Sequence, residues 1–349
     1  MDTRLADVLR DAVPFSLPLS KPFRGITRRE GVLLRGPSGW GEFAPFADYD
    51  SHRAAPWLAC AVEAAFGVWP QVQRSSVTVN AIIPAVGADQ AASMARAAVL
   101  DQGCRTIKIK VGAPGETLAD DESRVVSVRD AADRALQSLG EVGSIELRID
   151  ANAAWDLATA ERALNRLGAY QLQYVEQPCR AVADLRALRS RVDVPIAVDE
   201  SLRIDQLSPP QLREVADVVI VKAGPLGGAW RALEIVKDLD LPVVVSGGLD
   251  SAVGLTSGVM LAAALPAVDG VVLASGLGTG ALLDADVVQP VRVPINGMLD
   301  VGRVSPDLDA LMQARDRLDD DAARQWRQRI VDAWVAGGES LVEQLPDPA

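Results

Sequence analysis

The sequence predicts an α/β protein, namely a modified (β/α)8 barrel of the TIM type with an N-terminal α+β capping domain. From residue 77 onward, eight short apolar runs of strand length alternate with helical stretches. Four of these runs end at Asp150, Glu176, Asp199 and Lys222, which follow one another at intervals of 26, 23 and 23 residues. A strand, a helix and two short loops fit this period, so the repeat favours a parallel barrel over an open doubly wound sheet.

The predicted elements divide the chain into a cap, a barrel and a returning tail. We expect a capping domain over residues 1–76, a catalytic barrel over 77–300, and a segment 301–349 that packs back on the cap. A Gly-Pro-Ser-Gly turn at 36–39 predicts a hairpin in the cap, and the long step before Asp150 predicts an extended helix within 116–142. The other predicted elements are cap strands at 15–19, 31–34 and 40–43, a cap helix at 53–68, a helical tail at 306–336, and barrel strands at 77–84, 106–111, 145–151, 173–178, 196–201, 218–223, 242–248 and 269–276.

Composition and charge narrow the class of partner. The chain has 349 residues, a hydrophobic fraction of 49% and a charged fraction of 23%, as expected for a globular protein. Its net charge of −12 disfavours nucleic acid and an anionic membrane surface. The most apolar stretch, residues 252–268, is too short and too interrupted to span a bilayer comfortably. We therefore expect a small-molecule carboxylate substrate, no nucleic acid and no membrane, with the oligomeric state left open and a monomer allowed.

Cysteine usage and the N-terminus bear on the cellular compartment. The three cysteines, Cys60, Cys104 and Cys179, show no Cys-x-x-Cys spacing and leave an odd number. The first residues have no basic segment followed by an apolar core, so no signal peptide is predicted. A reduced, cytoplasmic protein is the simplest interpretation.

Five charged residues each end one predicted strand: Lys110, Asp150, Glu176, Asp199 and Lys222. Charged side chains are rarely buried unless they are paired or bind a metal. The carboxyl ends of the strands of a parallel barrel form the mouth of the active site. The pattern therefore predicts one site with three carboxylates between two lysines.

The scarcity of lysine strengthens this prediction. Among the 35 basic residues only five are lysines, and Lys108, Lys110 and Lys222 all lie on predicted strands. A buried lysine can release its proton, whereas arginine cannot, so lysine is favoured as a titrating base. Residues two apart point to the same face of a strand, so Lys108 should lie beside Lys110 and lower its pKa. The single histidine, His52, lies in a polar loop, which makes histidine-based zinc sites and Ser-His-Asp triads poor candidates.

The donor types indicate the chemistry. Carboxylates without histidine or cysteine suit Mg²⁺, with Mn²⁺ as a possible substitute. Such an ion can polarise a substrate carboxylate, so that a lysine removes the proton on the adjacent carbon. One alternative is a structural ladder of ion pairs, which would be costly at a barrel mouth without a function. A catalytically silent barrel that only binds a partner is the alternative from a different class.

The motifs at the strand ends resemble the muconate-lactonising subgroup of the enolase superfamily, over nearly the whole chain. They are Lys-Ile-Lys (108–110), Arg-Ile-Asp-Ala-Asn (148–152), Glu-Gln-Pro (176–178), Asp-Glu-Ser (199–201) and Val-Ile-Val-Lys (219–222). Residues 23–27 and 39–46, together with Arg148 and the Glu-Gln-Pro-Cys run, are similar to the o-succinylbenzoate synthases of the actinobacterial type. The resemblance implies a capped barrel with Mg²⁺ bound by Asp150, Glu176 and Asp199.

The resemblance also implies an activity. Enzymes of this family are lyases that dehydrate 2-succinyl-6-hydroxy-2,4-cyclohexadiene-1-carboxylate to o-succinylbenzoate and water in menaquinone biosynthesis. One lysine is thought to remove the α-proton and then protonate the leaving hydroxyl. By analogy this is Lys110, with Lys222 stabilising the enediolate and Lys108 as an electrostatic helper. The alternative within the superfamily is an N-acylamino acid racemase or dipeptide epimerase, which uses both lysines as bases.

Further residues are candidates for substrate contact or for orienting the metal ligands. Arg24 would contact a carboxylate or help to close the site, although a surface arginine is the alternative. The serines near the seventh strand would bind the succinyl carboxylate, although serines that only form turns are equally expected. The candidate substrate-binding residues are Arg24, Arg148, Asn152, Ser246 and Ser251, and the candidates for orienting the metal ligands are Asn152 and Glu200.

Overall fold

The computed structural model describes residues 4–23, 25–267 and 272–346, which form a small antiparallel sheet and a large curled parallel sheet. The strands are β1 Val13–Phe23, β2 Ile26–Gly36, β3 Gly39–Phe43, β4 Ser76–Ile83, β5 Thr106–Lys110, β6 Glu146–Asp150, β7 Leu172–Glu176, β8 Ile196–Val198, β9 Val218–Val221, β10 Val243–Val245, β11 Ser275–Gly278 and β12 Met298–Asp300. The helices are α1 Leu5–Arg10, α2 Ser51–Phe66, α3 Ala88–Leu100, α4 Leu118–Ser138, α5 Leu157–Leu167, α6 Val182–Arg189, α7 Glu200–Arg203, α8 Pro209–Val215, α9 Ala223–Leu226, α10 Ala229–Val236, α11 Ala252–Ala264, α12 Leu308–Arg315, α13 Asp320–Ala333 and α14 Glu339–Glu343.

Eight strands of the large sheet form a closed parallel barrel, and the ninth, β12, pairs antiparallel with β4. The barrel strands follow the order β10-β9-β8-β7-β6-β5-β4-β11, and each adjacent pair is parallel. A parallel bridge between Ser246 and Gly276 joins the ends of β10 and β11 and completes the ring. After β11 the chain forms a 3-10 turn, Thr279–Leu282, and within residues 272–346 no helix packs in the eighth position of the barrel. This topology agrees with the predicted modified (β/α)8 barrel.

The eighth strand lies later than the sequence predicted. The apolar run led us to expect it at 269–276, but β11 begins at Ser275, and residues 268–271 lie outside the described ranges. A Cβ on Gly278 would lie 2.4 Å from the carbonyl oxygen of Asn80, and one on Gly276 would lie 2.6 Å from Ser246 Oγ. Closure of the ring therefore requires glycines, which an apolar pattern does not reveal.

Strand β5 shows how the sequence divides its side chains between the two faces of the barrel. Ile107 and Ile109 are fully buried in the apolar layer between the strands and the outer helices. Lys108 and Lys110 alternate with them and point to the opposite face. Because β5, β6 and β7 pair in register, Lys110 lies beside Asp150, and Asp150 lies beside Glu176.

The capping domain lies over the mouth of the barrel. Its sheet β1-β2-β3 packs with α2, and α13 and a π-helical turn at Trp334–Gly338 pack on α2 from the C-terminal tail. The ring of Trp57 in α2 lies so close to helix α9 and to the loop after β10 that a Cβ on Gly224 or Gly248 would approach it to 2.8 or 2.7 Å. None of the helices within the described ranges is long and apolar enough to cross a membrane.

Candidate active site

The carboxyl ends of the barrel strands surround one cavity, which the cap covers. The space enclosed by its lining, counted together with the open mouth, is about 550 Å³. The barrel contributes Lys108, Lys110, Asp150, Asn152 and Lys222 to its lining. The cap contributes the aromatic side chains of Phe23, Phe46, Tyr49 and Trp57.

Lys108 and Lys110 connect two of the predicted carboxylates. Lys110 Nζ lies 2.5 Å from Asp150 Oδ2 and donates a hydrogen bond to Asn152 Oδ1 at 2.7 Å. Lys108 Nζ lies 2.8 Å from Glu176 Oε2 and 3.4 Å from Asp150 Oδ2. The two lysines therefore share Asp150, and only Lys108 reaches Glu176 among these contacts.

Asp199 accepts hydrogen bonds from two cations on the other side of the cavity. Lys222 Nζ donates to Asp199 Oδ2 at 2.6 Å, and Arg203 Nε donates to Asp199 Oδ1 at 2.9 Å. The same guanidinium donates to Glu200 Oε1 at 2.8 Å and to the hydroxyl oxygen of Tyr49 at 3.0 Å. Arg203 therefore joins the barrel carboxylates to the cap.

The two neighbouring lysines differ in acidity. Burial lowers the pKa of Lys110, and the charge of Lys108 lowers it further, against the attraction of Asp150. The effect of Lys108 agrees with the sequence prediction, although burial contributes more. Burial also acts to lower the pKa of Lys108, but the attraction of Glu176 and Asp150 is stronger and raises it. Lys108 therefore remains an ammonium ion, and Lys110 is the one of this pair that loses its proton more easily.

The three carboxylates are also unequal. Burial raises the pKa of Glu176 to about 7, and repulsion from Asp150 raises it as well. Burial opposes ionisation of Asp150 too, but Lys110 and Lys108 together bring its pKa below the ordinary value. Lys222 and Arg203 likewise outweigh burial and lower the pKa of Asp199.

These residues suit a metal ion by their donor chemistry but not by their present arrangement. Among the residues that the structure describes, no three His, Cys, Asp or Glu side chains stand close enough together to hold an ion as they are. The donor set nevertheless suits a hard divalent cation, because three carboxylates end neighbouring strands and Glu176 Oε1 is buried without a hydrogen-bond partner. The oxygens of Asp150 and Asp199 accept from Lys110, Lys222 and Arg203, so an ion would compete with these cations.

Of the remaining predicted site residues, some line the cavity and others do not. Asn152 and Ser246 line the cavity, and Glu200 accepts from Arg203 beside Asp199. Ser251 does not line it, because this serine is the N-cap of α11 and its hydroxyl oxygen accepts from Val253 N and Gly254 N. Arg24 lies outside the described residues.

Arg148 also lies away from the cavity lining. It is fully buried inside the barrel, where its guanidinium donates to Gln173 Oε1 at 2.7 Å, to Asn80 Oδ1 at 2.8 Å and to the carbonyl oxygen of Ala274 at 2.6 Å. The ring of Tyr174 lies 4.7 Å from its guanidinium carbon. Side-chain alternation placed Arg148 on the inner face of the barrel. However, Arg148 lies two residues before the carboxyl end of β6, and this places it below the cavity.

Sequence reasoning missed Arg203 and the aromatic wall of the cap. Arg203 follows Asp199 by four residues, which is the spacing at which side chains meet on a helical turn, so this signal was present. Tyr49 and Trp57 had no comparable signal, because the way the cap packs on the barrel decides whether they face the cavity.

The chain resembles known proteins over nearly its whole length. It matches the family described as Enolase C-terminal domain-like over residues 90–310 and the family described as Enolase N-terminal domain-like over residues 14–65. Among solved structures, muconate lactonizing enzyme from Pseudomonas fluorescens superposes with a TM-score of 0.70 at 19% identity, covering 87% of this chain and 97% of that one. The L-Ala-D/L-Glu epimerase from Bacillus subtilis gives a TM-score of 0.65 at 20% identity, covering 85% and 96%. These two likenesses support the predicted fold.

The chain therefore belongs to the enolase superfamily and is an enzyme of that class. Its curated relatives indicate which enzymes of the superfamily it resembles in sequence. An o-succinylbenzoate synthase from Thermobifida fusca (strain YX) is 45% identical over 96% of this chain and 98% of that protein. An o-succinylbenzoate synthase from Mycobacterium leprae (strain TN) is 45% identical over 89% and 87%. These relatives confirm the family resemblance that the sequence motifs predicted.

Proposed function

We propose that this chain is an Mg²⁺-dependent lyase that dehydrates 2-succinyl-6-hydroxy-2,4-cyclohexadiene-1-carboxylate to o-succinylbenzoate and water. The observation that carries the proposal is a pair of lysines, Lys110 and Lys222, that line one cavity from different strands in a chain 45% identical to o-succinylbenzoate synthases. Product formation would place the enzyme in menaquinone biosynthesis. The chemistry requires removal of a proton next to a carboxylate and loss of a hydroxyl group from the adjacent carbon.

In this proposal Lys110 carries both proton transfers. Its amine in the neutral form takes the α-proton, which breaks the C–H bond and leaves the electron pair on the substrate as an enediolate. The resulting ammonium then donates that proton to the departing hydroxyl, so the C–O bond breaks, a C=C bond forms and water leaves. Burial and the neighbouring Lys108 favour the neutral amine, as this role requires.

The other residues hold charges in place. Lys108 remains protonated beside Glu176 and Asp150, so it stabilises negative charge without exchanging a proton in the reaction. Lys222, which directly follows β9, contributes a second cation to the cavity next to Asp199. Asn152 accepts a hydrogen bond from Lys110 and would aim its amine at the substrate.

We propose that Asp150, Glu176 and Asp199 hold the Mg²⁺ ion, for which Mn²⁺ could substitute. When bound, the ion would supply positive charge for the substrate carboxylate as negative charge accumulates on it. Arg203 would orient Asp199, to which it donates a hydrogen bond, and Glu200 would in turn hold the Arg203 guanidinium. We also propose the division into a cap over 1–76 with 301–349 and a barrel over 77–300, and a cytoplasmic location.

The direct test is an assay of the purified chain with the cyclohexadiene acid and Mg²⁺, followed by the absorbance of the aromatic product. Rapid conversion is expected. A parallel assay with N-acylamino acids, monitored by optical rotation, measures racemisation. If the chain racemised the amino acid efficiently and left the cyclohexadiene acid unchanged, the proposed reaction would be wrong.

A further inference from the structure

The loop between β10 and α11 forms one wall of the cavity, and we refer to residues 246–251 as the wall loop. Ser246, Gly247, Gly248 and Leu249 all line the cavity. Leu249 has a φ of 67°, in the left-handed region that a branched side chain rarely adopts. Such a conformation persists only when its surroundings hold it, so the contacts that hold the wall loop affect the shape of the site.

Three residues of the cap hold this loop from outside. Arg29 Nε donates to the carbonyl oxygen of Leu249 at 3.1 Å, and Glu42 Oε2 accepts from the backbone N–H of Ser251 at 3.0 Å. The ring of Trp57 packs against Gly248, where a Cβ would lie 2.7 Å from it. The cap therefore contacts the wall loop at its middle and at the start of α11.

The two charged residues are buried where the cap meets the barrel. Arg29 is 2% exposed and Glu42 is 7% exposed, and they come from the adjacent strands β2 and β3. The Arg29 guanidinium also donates to the carbonyl oxygen of Ala44 and lies 4.6 Å from the centre of the Phe46 ring. Hydrogen bonds made in such a dry environment are strong and costly to leave unmade.

The side chain of Glu42 packs tightly against the start of α11. A Cβ on Gly254, in the first turn of α11, would lie 2.5 Å from Glu42 Cδ. The start of α11 is also held from the barrel side, because both oxygens of Asp286 accept from the backbone N–H of Ala252, at 3.1 and 3.0 Å. The cap and the barrel therefore each supply one acidic side chain that accepts a backbone hydrogen bond at the start of the same helix.

We propose that Arg29 and Glu42 are positioning residues for the wall loop: they fix it in the conformation that receives the substrate, and so they set KM. Neither residue lines the cavity, so each acts through the loop that it holds. This inference rests on the proposed function for its substrate. It assigns to the hairpin of the cap a role in shaping the barrel's own binding surface.

The test compares Glu42→Leu and Arg29→Met with conservative variants at the same positions. Both apolar variants remove a hydrogen bond to the loop, so KM should rise about tenfold while kcat changes less than about threefold. Glu42→Gln keeps an oxygen that can accept from Ser251 N and should restore KM to within about twofold of wild type. Arg29→Lys keeps the charge but not the planar fork, so KM should rise about threefold.

Asp133→Leu is the matched control. Asp133 accepts from the backbone N–H of Ile145 at 3.0 Å, just before β6 and therefore at the end of the barrel opposite the cavity. Its loss removes a hydrogen bond to the backbone, together with the pairing of Asp133 and Arg129, without touching the wall loop, so KM should stay unchanged. Equal KM in wild type and both apolar variants, or an equal rise in the control, would overturn the proposal. If neither apolar variant folds, an unchanged KM in Arg29→Lys overturns it.

Amide hydrogen exchange gives a readout that does not depend on turnover. The Ser251 amide should exchange at least about tenfold faster in Glu42→Leu than in wild type, and at the wild-type rate in Asp133→Leu. Unchanged protection of the Ser251 amide in Glu42→Leu would show that Glu42 does not hold the wall loop. If wild type itself left the cyclohexadiene acid unconverted, the proposed function would fail, while the exchange data would still decide whether Glu42 holds the loop.

Discussion

Replacement of Lys110 by arginine separates its charge from its basicity. Lys110 Nζ contacts Asp150 and Asn152, and an arginine can donate hydrogen bonds to both oxygens and keep the positive charge. What arginine cannot do is give up its proton at any accessible pH. The loss of kcat in Lys110→Arg therefore reports the contribution of proton transfer and not that of the ion pair.

The expected magnitude follows from the role of the base. A positioned general base contributes up to about 10⁴-fold, or about 5.4 kcal/mol of activation free energy at 1.36 kcal/mol for each factor of ten. We expect kcat to fall by at least this factor, because Lys110 is proposed to carry both proton transfers. The Michaelis constant should change much less, since the arginine can still donate hydrogen bonds to Asp150 and Asn152.

Two measurements check this prediction. The absorbance of the aromatic product gives kcat, and NMR in D₂O shows whether the α-proton of the substrate exchanges with solvent. Lys237→Arg is the matched control, because Lys237 is exposed, pairs with Glu234 on α10 and does not line the cavity. A Lys110→Arg enzyme that kept more than about 1% of wild-type kcat, or that still exchanged the α-proton, would refute the assignment of the base.

Three further predictions concern charge, pH and metal. Lys222→Arg should retain far more activity than Lys222→Met, because Lys222 is proposed to act by its charge, and equal loss in both would indicate a second base instead. Glu63 is buried, which raises the pKa of its carboxyl from 4.5 to about 7. The folded protein therefore binds more protons than the unfolded one between these values, and stability declines as pH rises through that window. Glu63→Gln should remove up to about 3 kcal/mol of this decline, measured as the free energy of unfolding in urea at pH 5 and pH 8. Excess EDTA should abolish turnover and Mg²⁺ should restore it, so full activity in EDTA would contradict the proposed metal role.

The pH and metal predictions each need a control. One must separate the titration of Glu63 from that of other carboxyls, and the other must show that Mg²⁺ binds the folded protein. Carboxyls other than Glu63 titrate in both proteins, so only the difference between wild type and Glu63→Gln is compared. Parallel pH dependences in the two would show that the burial of Glu63 has no energetic effect. For the metal, the melting temperature should rise with added Mg²⁺, since a ligand that binds only the folded state stabilises it.

The arrangement of the barrel was largely predictable from the sequence, and its closure was not. Runs such as those ending at Asp150 and Glu176 close with a charge and follow one another at an interval of 26 residues, which a strand and a helix fill. The final strand was misplaced because glycines at Gly276 and Gly278 allow the close approach that seals the ring, and this need arises only between strands distant in sequence.

The same distinction holds within the site. Period-two alternation placed Lys108 and Lys110 on one face, and their location at the carboxyl end of a barrel strand indicated the cavity. The sequence did not show that Lys108 would keep its proton while Lys110 would lose it more easily, because that depends on which carboxylates each amine reaches. Arg148 shows the limit of alternation, which assigns a face but not a depth.

By itself, the sequence predicted which charged residues meet at the barrel mouth, because local periodicity and the position of a charge at a strand end are properties of short segments. Only the tertiary structure decided how those charges pair, and that the cap contributes Tyr49, Trp57, Arg29 and Glu42 around the barrel's loops. These contacts join segments tens to hundreds of residues apart. Their energies depend on burial and distance, which are set by the packing of the cap on the barrel.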